Sequence, residues 1–148
     1  MSEFLSFQKA FKGDIVTPDD PGYETAIARW ASNAQRKAKI VAFVKDAEDV
    51  SAAIKFARAS KLPLAIRGGG HSTSGASSSQ DGIVIDLSRH INGVRIDPEN
   101  KLAYTGGGAV WATVDKAAIE HGLATVGGTV NHVSIFRLAV RDLFRSDY

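Results

Sequence analysis

The run Arg67-Gly68-Gly69-Gly70-His71-Ser72 constrains this chain more than any other stretch. It follows Leu64-Ala65-Ile66, a short apolar segment that reads as a strand. Glycine has no Cβ, so three in a row let the backbone take φ > 0 and come close to a ligand. Successive N–H groups in such a turn form a concave anion site, and diphosphates are frequent occupants. Ser72, Thr73 and Ser74 add hydroxyl donors, and Gly75 permits another tight turn. On spacing alone, a plain glycine-rich surface loop fits as well.

Several better-known motifs do not match. No lysine follows the glycines, so the loop is not a G-x-x-x-x-G-K-[ST] cradle, and Thr73 stands where G-x-G-x-x-G needs its last glycine. Gly70-His71-Ser72-Thr73-Ser74 is not the G-x-S-x-G elbow of a serine hydrolase. The histidines at 71, 90, 121 and 132 lack metal-ligand spacing. There is no cysteine, which removes disulfides, thiolate metal sites and thiol nucleophiles together.

Around the loop the pattern predicts an α+β fold. Ile40-Val41-Ala42-Phe43-Val44 reads as a buried strand. Asp46 is placed to cap a helix, with Glu48 and Asp49 in its first turn. Val50, Ala53, Ile54 and Ala57 give that helix one apolar face, and it ends near Lys61, before Pro63. A strand–helix–strand unit therefore runs from about Ile40 to Ile66. A small antiparallel layer is expected from Ile83 to Tyr104. It comprises Ile83-Val84-Ile85-Asp86-Leu87 and two short strands around the turn Asp97-Pro98-Glu99-Asn100. Val110, Val114, Ala117 and Ala118 mark a second helix that Gly122 stops. At the N-terminus, Phe4, Phe7 and Phe11 share the face of a short amphipathic helix.

Charge and hydropathy narrow the partners. Eighteen basic against sixteen acidic residues give a net charge of +2, too even for an electrostatic case for nucleic acid or an anionic membrane. No stretch approaches the ~18 apolar residues of a spanning helix, and no leader pattern opens the chain. A cytoplasmic protein is the expectation.

The order of glycine-rich blocks carries a resemblance. Ile66 to Gly75, Gly82 to Ser88, Thr105 to Trp111 and His121 to His132 together resemble the FAD-binding domain of the berberine bridge enzyme-like oxidases, in the vanillyl-alcohol oxidase superfamily. The resemblance implies FAD as cofactor, with Arg67, Gly68, Gly69, Gly70, His71, Ser72 and Gly75 holding its diphosphate. It implies that Gly127, Gly128 and Thr129 lie along the flavin and ribityl chain, and that His71 stands where these oxidases bond the flavin covalently. Some relatives add a second bond from a cysteine; Val130 occupies that place here. The domain division it implies is an N-terminal helical segment at 1–39, part of the FAD-binding domain at 40–133 and a divergent tail at 134–148.

That tail departs from the family, which continues with a second glycine-rich segment. Here Arg137, Arg141 and Arg145 recur with Leu138 and Phe144, a spacing that suits a short amphipathic helix or the tail of a truncated reading frame. The family's catalytic base and substrate pocket lie beyond the matched span, so no catalytic residue is assigned. Three functions follow: an oxidoreductase taking a hydride from an alcohol or related carbon centre of a small molecule and passing electrons to oxygen, a catalytically inactive flavin-binding or non-binding fragment, or a phosphate-binding module unrelated to flavin. Trp111 and Asp86 are expected to serve packing and hydrogen bonding, and His90, His121 and His132 to be surface or hydrogen-bonded residues.

Overall fold

The strand Ile40–Phe43 (β2) is buried along its whole length, so both its faces must be covered. The computed structural model, which describes residues 3–135 and the short strand Leu143–Arg145, shows how. β2 lies in a four-stranded sheet with Asp14–Val16 (β1), Leu64–Arg67 (β3) and Ile83–Asp86 (β4), in the order β1-β2-β4-β3. β2 and β3 both run parallel to β4, and β1 closes one edge antiparallel to β2.

Alternate residues feed two cores. Ile40, Ala42, Ile83 and Ile85 pack with Phe7 of the helix Glu3–Ala10 (α1), with Phe11 just beyond it, and with Ala53 and Ala57 of the helix Ala47–Ala59 (α3). Val41, Phe43, Ala65 and Val84 pack on the other side with Tyr23, Ala26 and Ile27 of the short helix Tyr23–Ile27 (α2). The segment before residue 40 thus supplies a strand and two helices.

Ile83–Asp86 departs from the expected antiparallel layer: it is an interior strand of this mixed sheet, inserted parallel between β2 and β3. All four of its residues are buried. A strand covered on both faces belongs inside a parallel sheet, where continuous apolar runs are stable.

The Asp46 cap is present, with its carboxylate accepting from the Asp49 N–H at 2.9 Å. Asp49 is itself buried and accepts the backbone N–H groups of Lys12 and Lys45 at 2.8 and 2.9 Å. It ties the chain after α1 to the start of α3. The inner face of α3 differs by one position from expectation. Ile54 is exposed, while Phe56 turns inward and stacks on Phe7 with ring centroids 4.6 Å apart. Phe56 lies three residues after Ala53 and so shares its side of the helix. The helix stops at Ser60, and Lys61 adopts φ 52° before Pro63.

The second layer begins with the antiparallel pair Val94–Asp97 (β5) and Leu102–Thr105 (β6). Its turn is held by the Asn100 N–H and side-chain amide donating to Asp97. The helix Trp111–Ile119 (α4) buries Trp111, Val114 and Ala118, and Gly122 follows it at φ 64°. Leu123–Thr125 (β7) pairs antiparallel with Leu143–Arg145 (β8). Phe144 and Arg145 therefore lie in a strand and not in a C-terminal helix, because pairing with β7 overrides the local spacing. Arg137, Leu138 and Arg141 lie outside the described residues.

Candidate functional site

β3 ends at Arg67 and delivers the glycine run to the end of the sheet. In register beside Arg67, at the end of β4, stands Asp86. Its carboxylate is fully buried and saturated with partners. One oxygen accepts from the Ser88 N–H and hydroxyl at 2.8 and 2.6 Å, and the other accepts from Arg67 Nη1 at 2.8 Å. Arg67 Nη1 also reaches the Ala26 carbonyl at 3.3 Å. The Ser88 partnership matches the sequence reading. The ion pair with Arg67, across nineteen residues, does not emerge from sequence spacing.

A second guanidinium lies close by. Arg29 donates Nε and Nη2 to the Ser77 carbonyl and Nη1 to the carbonyls of Ala26 and Ala28. Burial, with the neighbouring Arg67 charge, pushes its pKa down to about 10, against a smaller opposing pull from Asp86. Two guanidiniums (Arg29 and Arg67) against one carboxylate (Asp86) leave one positive charge at the root of the loop. That excess suits an anion.

The glycines divide by purpose. Gly70 and Gly75 take φ 72° and 82°, where a side chain is strained. Gly68 and Gly69 serve close approach by the protein itself. A Cβ on Gly68 would meet the Ser134 side chain and the Gly107 carbonyl, and one on Gly69 would sit 3.0 Å from Ser134 N and 3.2 Å from the His132 carbonyl. The loop is thereby packed against the segment 132–134. Among the described residues, no backbone N–H from Gly68 to Ser72 donates to a backbone carbonyl. The Ser72 hydroxyl pairs with Ser74 at 3.1 Å and accepts from the Ala76 N–H at 3.3 Å.

His71 sits in an aromatic cluster. Its ring stacks on Trp30 with centroids 4.3 Å apart and an 18° interplanar angle. His132 approaches at 4.7 Å, tilted by 48°, and lies 6.5 Å from Trp30. Those three separations make nearly a right angle at His71, so Trp30 covers a face of the imidazole and His132 meets its edge. Among the described residues, His71 Nε2 and Arg67 Nε are buried without a hydrogen-bond partner. Sequence spacing does not single out Trp30, and it reads His132 as a surface or hydrogen-bonded residue; His132 is exposed, and its ring borders His71. Neither residue had a signal, since both lie far from the loop in sequence. His90 is hydrogen-bonded to Asp14 at 2.7 Å, as its type suggests.

Gly127 and Gly128 lie against the buried indole of Trp111; added Cβ atoms would stand 2.8 and 3.0 Å from it. Thr129 is exposed. Trp111 is a packing residue, as expected, with Ala109, Val114 and Ile135 around it. No helix among the described residues is long and apolar enough to cross a membrane.

An FAD diphosphate fits this chemistry. Among the described residues, the loop offers N–H groups without backbone partners, a local positive charge and two ring or guanidinium nitrogens without hydrogen-bond partners. Comparison with known proteins agrees. The profile of the FAD binding domain family matches residues 38–136. The chain is 31% identical over 140 residues to (R)-6-hydroxynicotine oxidase of Paenarthrobacter nicotinovorans, covering 95% of this chain and 30% of that protein. An uncharacterized FAD-linked oxidoreductase of Bacillus subtilis is 34% identical over 128 residues, covering 86% of this chain and 28% of its own length. Among solved structures, 6-hydroxy-D-nicotine oxidase from Arthrobacter nicotinovorans superposes with a TM-score of 0.80 at 31% identity, over 84% of this chain and 27% of that one. A BBE-like protein of Physcomitrella patens gives 0.81 at 20% identity over 91% of this chain and 29% of that one, a likeness of fold alone. The chain spans about 30% of the length of the curated relative it matches over 140 residues. It belongs to the FAD binding domain family, and corresponds to the N-terminal part of the relatives it matches.

Proposed function

We propose that this chain forms the diphosphate-binding part of an FAD-dependent oxidoreductase that oxidises an alcohol or related carbon centre of a small molecule, with oxygen as acceptor. The observation that carries the reading is the strand-end loop from Arg67 to Ser72. Among the described residues its backbone N–H groups lack backbone partners, and its arginine is held in place by a buried carboxylate. In this reading Gly68, Gly69, Gly70, Ser72 and Gly75 shape the cradle for the diphosphate, and Arg67 offsets its charge. Asp86 keeps Arg67 aligned, so a rigid strand end positions the cradle. Gly127, Gly128 and Thr129 border the flavin and ribityl chain. The folding unit that binds FAD begins near residue 40 and runs to about 133.

When bound, the flavin supplies the hydride and electron chemistry, while the protein contributes binding, orientation and electrostatics. His71 is the residue that holds the flavin covalently. It would hold the group through one imidazole nitrogen at the flavin 8α carbon, with dioxygen as the two-electron oxidant that such a bond requires. Val130 has no nucleophilic atom, so a second bond is absent.

The test is purification in the presence of FAD, followed by gel filtration and absorption spectroscopy. Flavin should co-elute with the chain, and Gly69→Val should lose it, because a β-branched side chain crowds the cradle and the backbone at 132–134. A colourless protein at saturating FAD, or ADP binding that FAD does not displace, would overturn the reading. Spanning about 30% of its relative's length, the chain alone is expected to show no substrate-dependent peroxide. Peroxide production by a monomeric preparation would overturn that expectation.

A further inference from the structure

Trp30 is a large aromatic ring that the cores do not use. It is 60% exposed, and neither sheet-facing core includes it. Its backbone is nevertheless fixed to the glycine loop, where the Trp30 N–H donates to the Gly70 carbonyl at 3.3 Å. The preceding residue, Arg29, passes beneath the same turn. A Cβ on Gly70 would lie 3.4 Å from Arg29 Cδ, and the Arg29 guanidinium is anchored on the carbonyls of Ala26, Ala28 and Ser77. Arg29 and Trp30 thus form a strap across the turn Gly70-His71. The indole lies nearly parallel to the imidazole at 4.3 Å.

This arrangement has a consequence for His71. An imidazole on a glycine turn is free to rotate about its side-chain torsions unless something holds it. Among the described residues, Nε2 is buried without a hydrogen-bond partner, so no bond at that atom orients the ring. The ring is flanked by Trp30 against one face and by His132 beside it. His132 is exposed, and its ring nitrogen makes only a long 3.4 Å contact with Asn131. Trp30, tied by its backbone to the loop, is the firmer of the two.

We propose that Trp30 is a positioning residue for His71, fixing the plane of the imidazole so that a ring nitrogen meets the flavin 8α carbon. The proposal rests on the reading of His71 as the attachment residue. Attachment depends on the alignment of nitrogen and carbon, and a misplacement of about 1 Å can slow such a step by about a hundredfold. Because Trp30 is exposed and outside both sheet-facing cores, replacing it leaves the fold intact.

The experiment follows the covalent flavin fraction with time after FAD is added to the full chain. It uses denaturing electrophoresis and mass analysis, alongside non-covalent FAD affinity and the NMR positions of the His71 ring protons without FAD. Trp30→Ala should slow adduct formation about tenfold or more with FAD affinity little changed. It should also move the His71 ring protons out of the indole ring current. Trp30→Phe should restore most of the rate, since a flat ring remains. Wild-type adduct rates in Trp30→Ala, or ring protons that do not move, would overturn the proposal. An adduct that survives in His71→Ala, or no adduct in the wild-type chain, would instead overturn the attachment reading beneath it.

Discussion

Every residue of β2 and β4 is buried, whereas no residue of β5 or β6 is. The sheet body covers both faces of its strands with α1, α2, α3 and their neighbouring segments, and it would hold together from its own residues. The layer around α4 has a smaller core of Trp111, Val114, Ala109 and Ile135. It leans on the rest of the chain through close backbone contacts. Gly108 passes against the Leu87 carbonyl at the end of β4, and Gly68 meets Gly107 and Ser134. The difference suggests a division of labour. The sheet body provides stability, while the glycine contacts at its carboxyl end join it to the second layer and shape the site between them.

The largest effect is expected at Asp86, where removing one partner strands a charge. Asp86→Ala leaves Arg67, with a side chain only 18% exposed, facing a cavity without its counter-ion. Breaking a buried pair in this way costs about 3–5 kcal/mol, readable from urea unfolding. A loss below about 1 kcal/mol would show that the sheet body does not depend on the pair.

Next comes the direct contrast between layers. Ile85→Ala, in the sheet interior, should destabilise by about 2–5 kcal/mol. Val94→Ala, on the half-exposed hairpin, should stay near 1 kcal/mol. Equal losses would erase the distinction drawn here. Gly108→Ala tests the junction, because its Cβ would collide with the Leu87 carbonyl. Overpacking of this kind costs about 1–3 kcal/mol, and hydrogen exchange should show the loss concentrated in α4 and the hairpin. Asp46→Ala removes the α3 cap and should cost about 1 kcal/mol, measured as a lower urea midpoint.

The smallest effect concerns pH. Hydrogen bonds from His90 and then Arg89 hold the Asp14 carboxyl below its ordinary value of 3.8. A depressed folded-state pKa adds stability above the unfolded value, lost as pH falls through the folded one. Asp14→Asn should therefore lose a small amount of stability at neutral pH and flatten the acid side of the stability curve, so that the two proteins converge below about pH 4. An unaltered acid limb would remove Asp14 from that account.

These variants also separate what is legible in the sequence from what is not. Helix α3 was readable because its cap, its apolar period and the following proline are all local. The hairpin was readable from Asp97 to Asn100 for the same reason. The glycine loop was legible as a turn built for close backbone approach, but the distinct duties of its glycines are not. Gly70 and Gly75 need positive φ, while Gly68 and Gly69 make room for Ser134 and its neighbours. Arg67 with Asp86 could have been paired had β3 and β4 been set parallel and in register, since the two residues are partners in that ladder. Trp30 had no such handle, being one aromatic residue in a segment without periodicity.

By itself, the sequence determined the elements whose causes lie within a turn or two of the chain: caps, helical faces, turn residues and the glycine run, whose torsional freedom is a property of the residues themselves. The ordered blocks also determined the family. Only the tertiary structure decided that β4 lies between β2 and β3, that Asp86 pairs with Arg67, and that Trp30 and His132 border His71. Those relations join residues from 19 to 61 positions apart, read as 67 to 86 and 71 to 132. Their partners are chosen by the burial of the sheet's two faces, a condition of the whole chain that no local window contains.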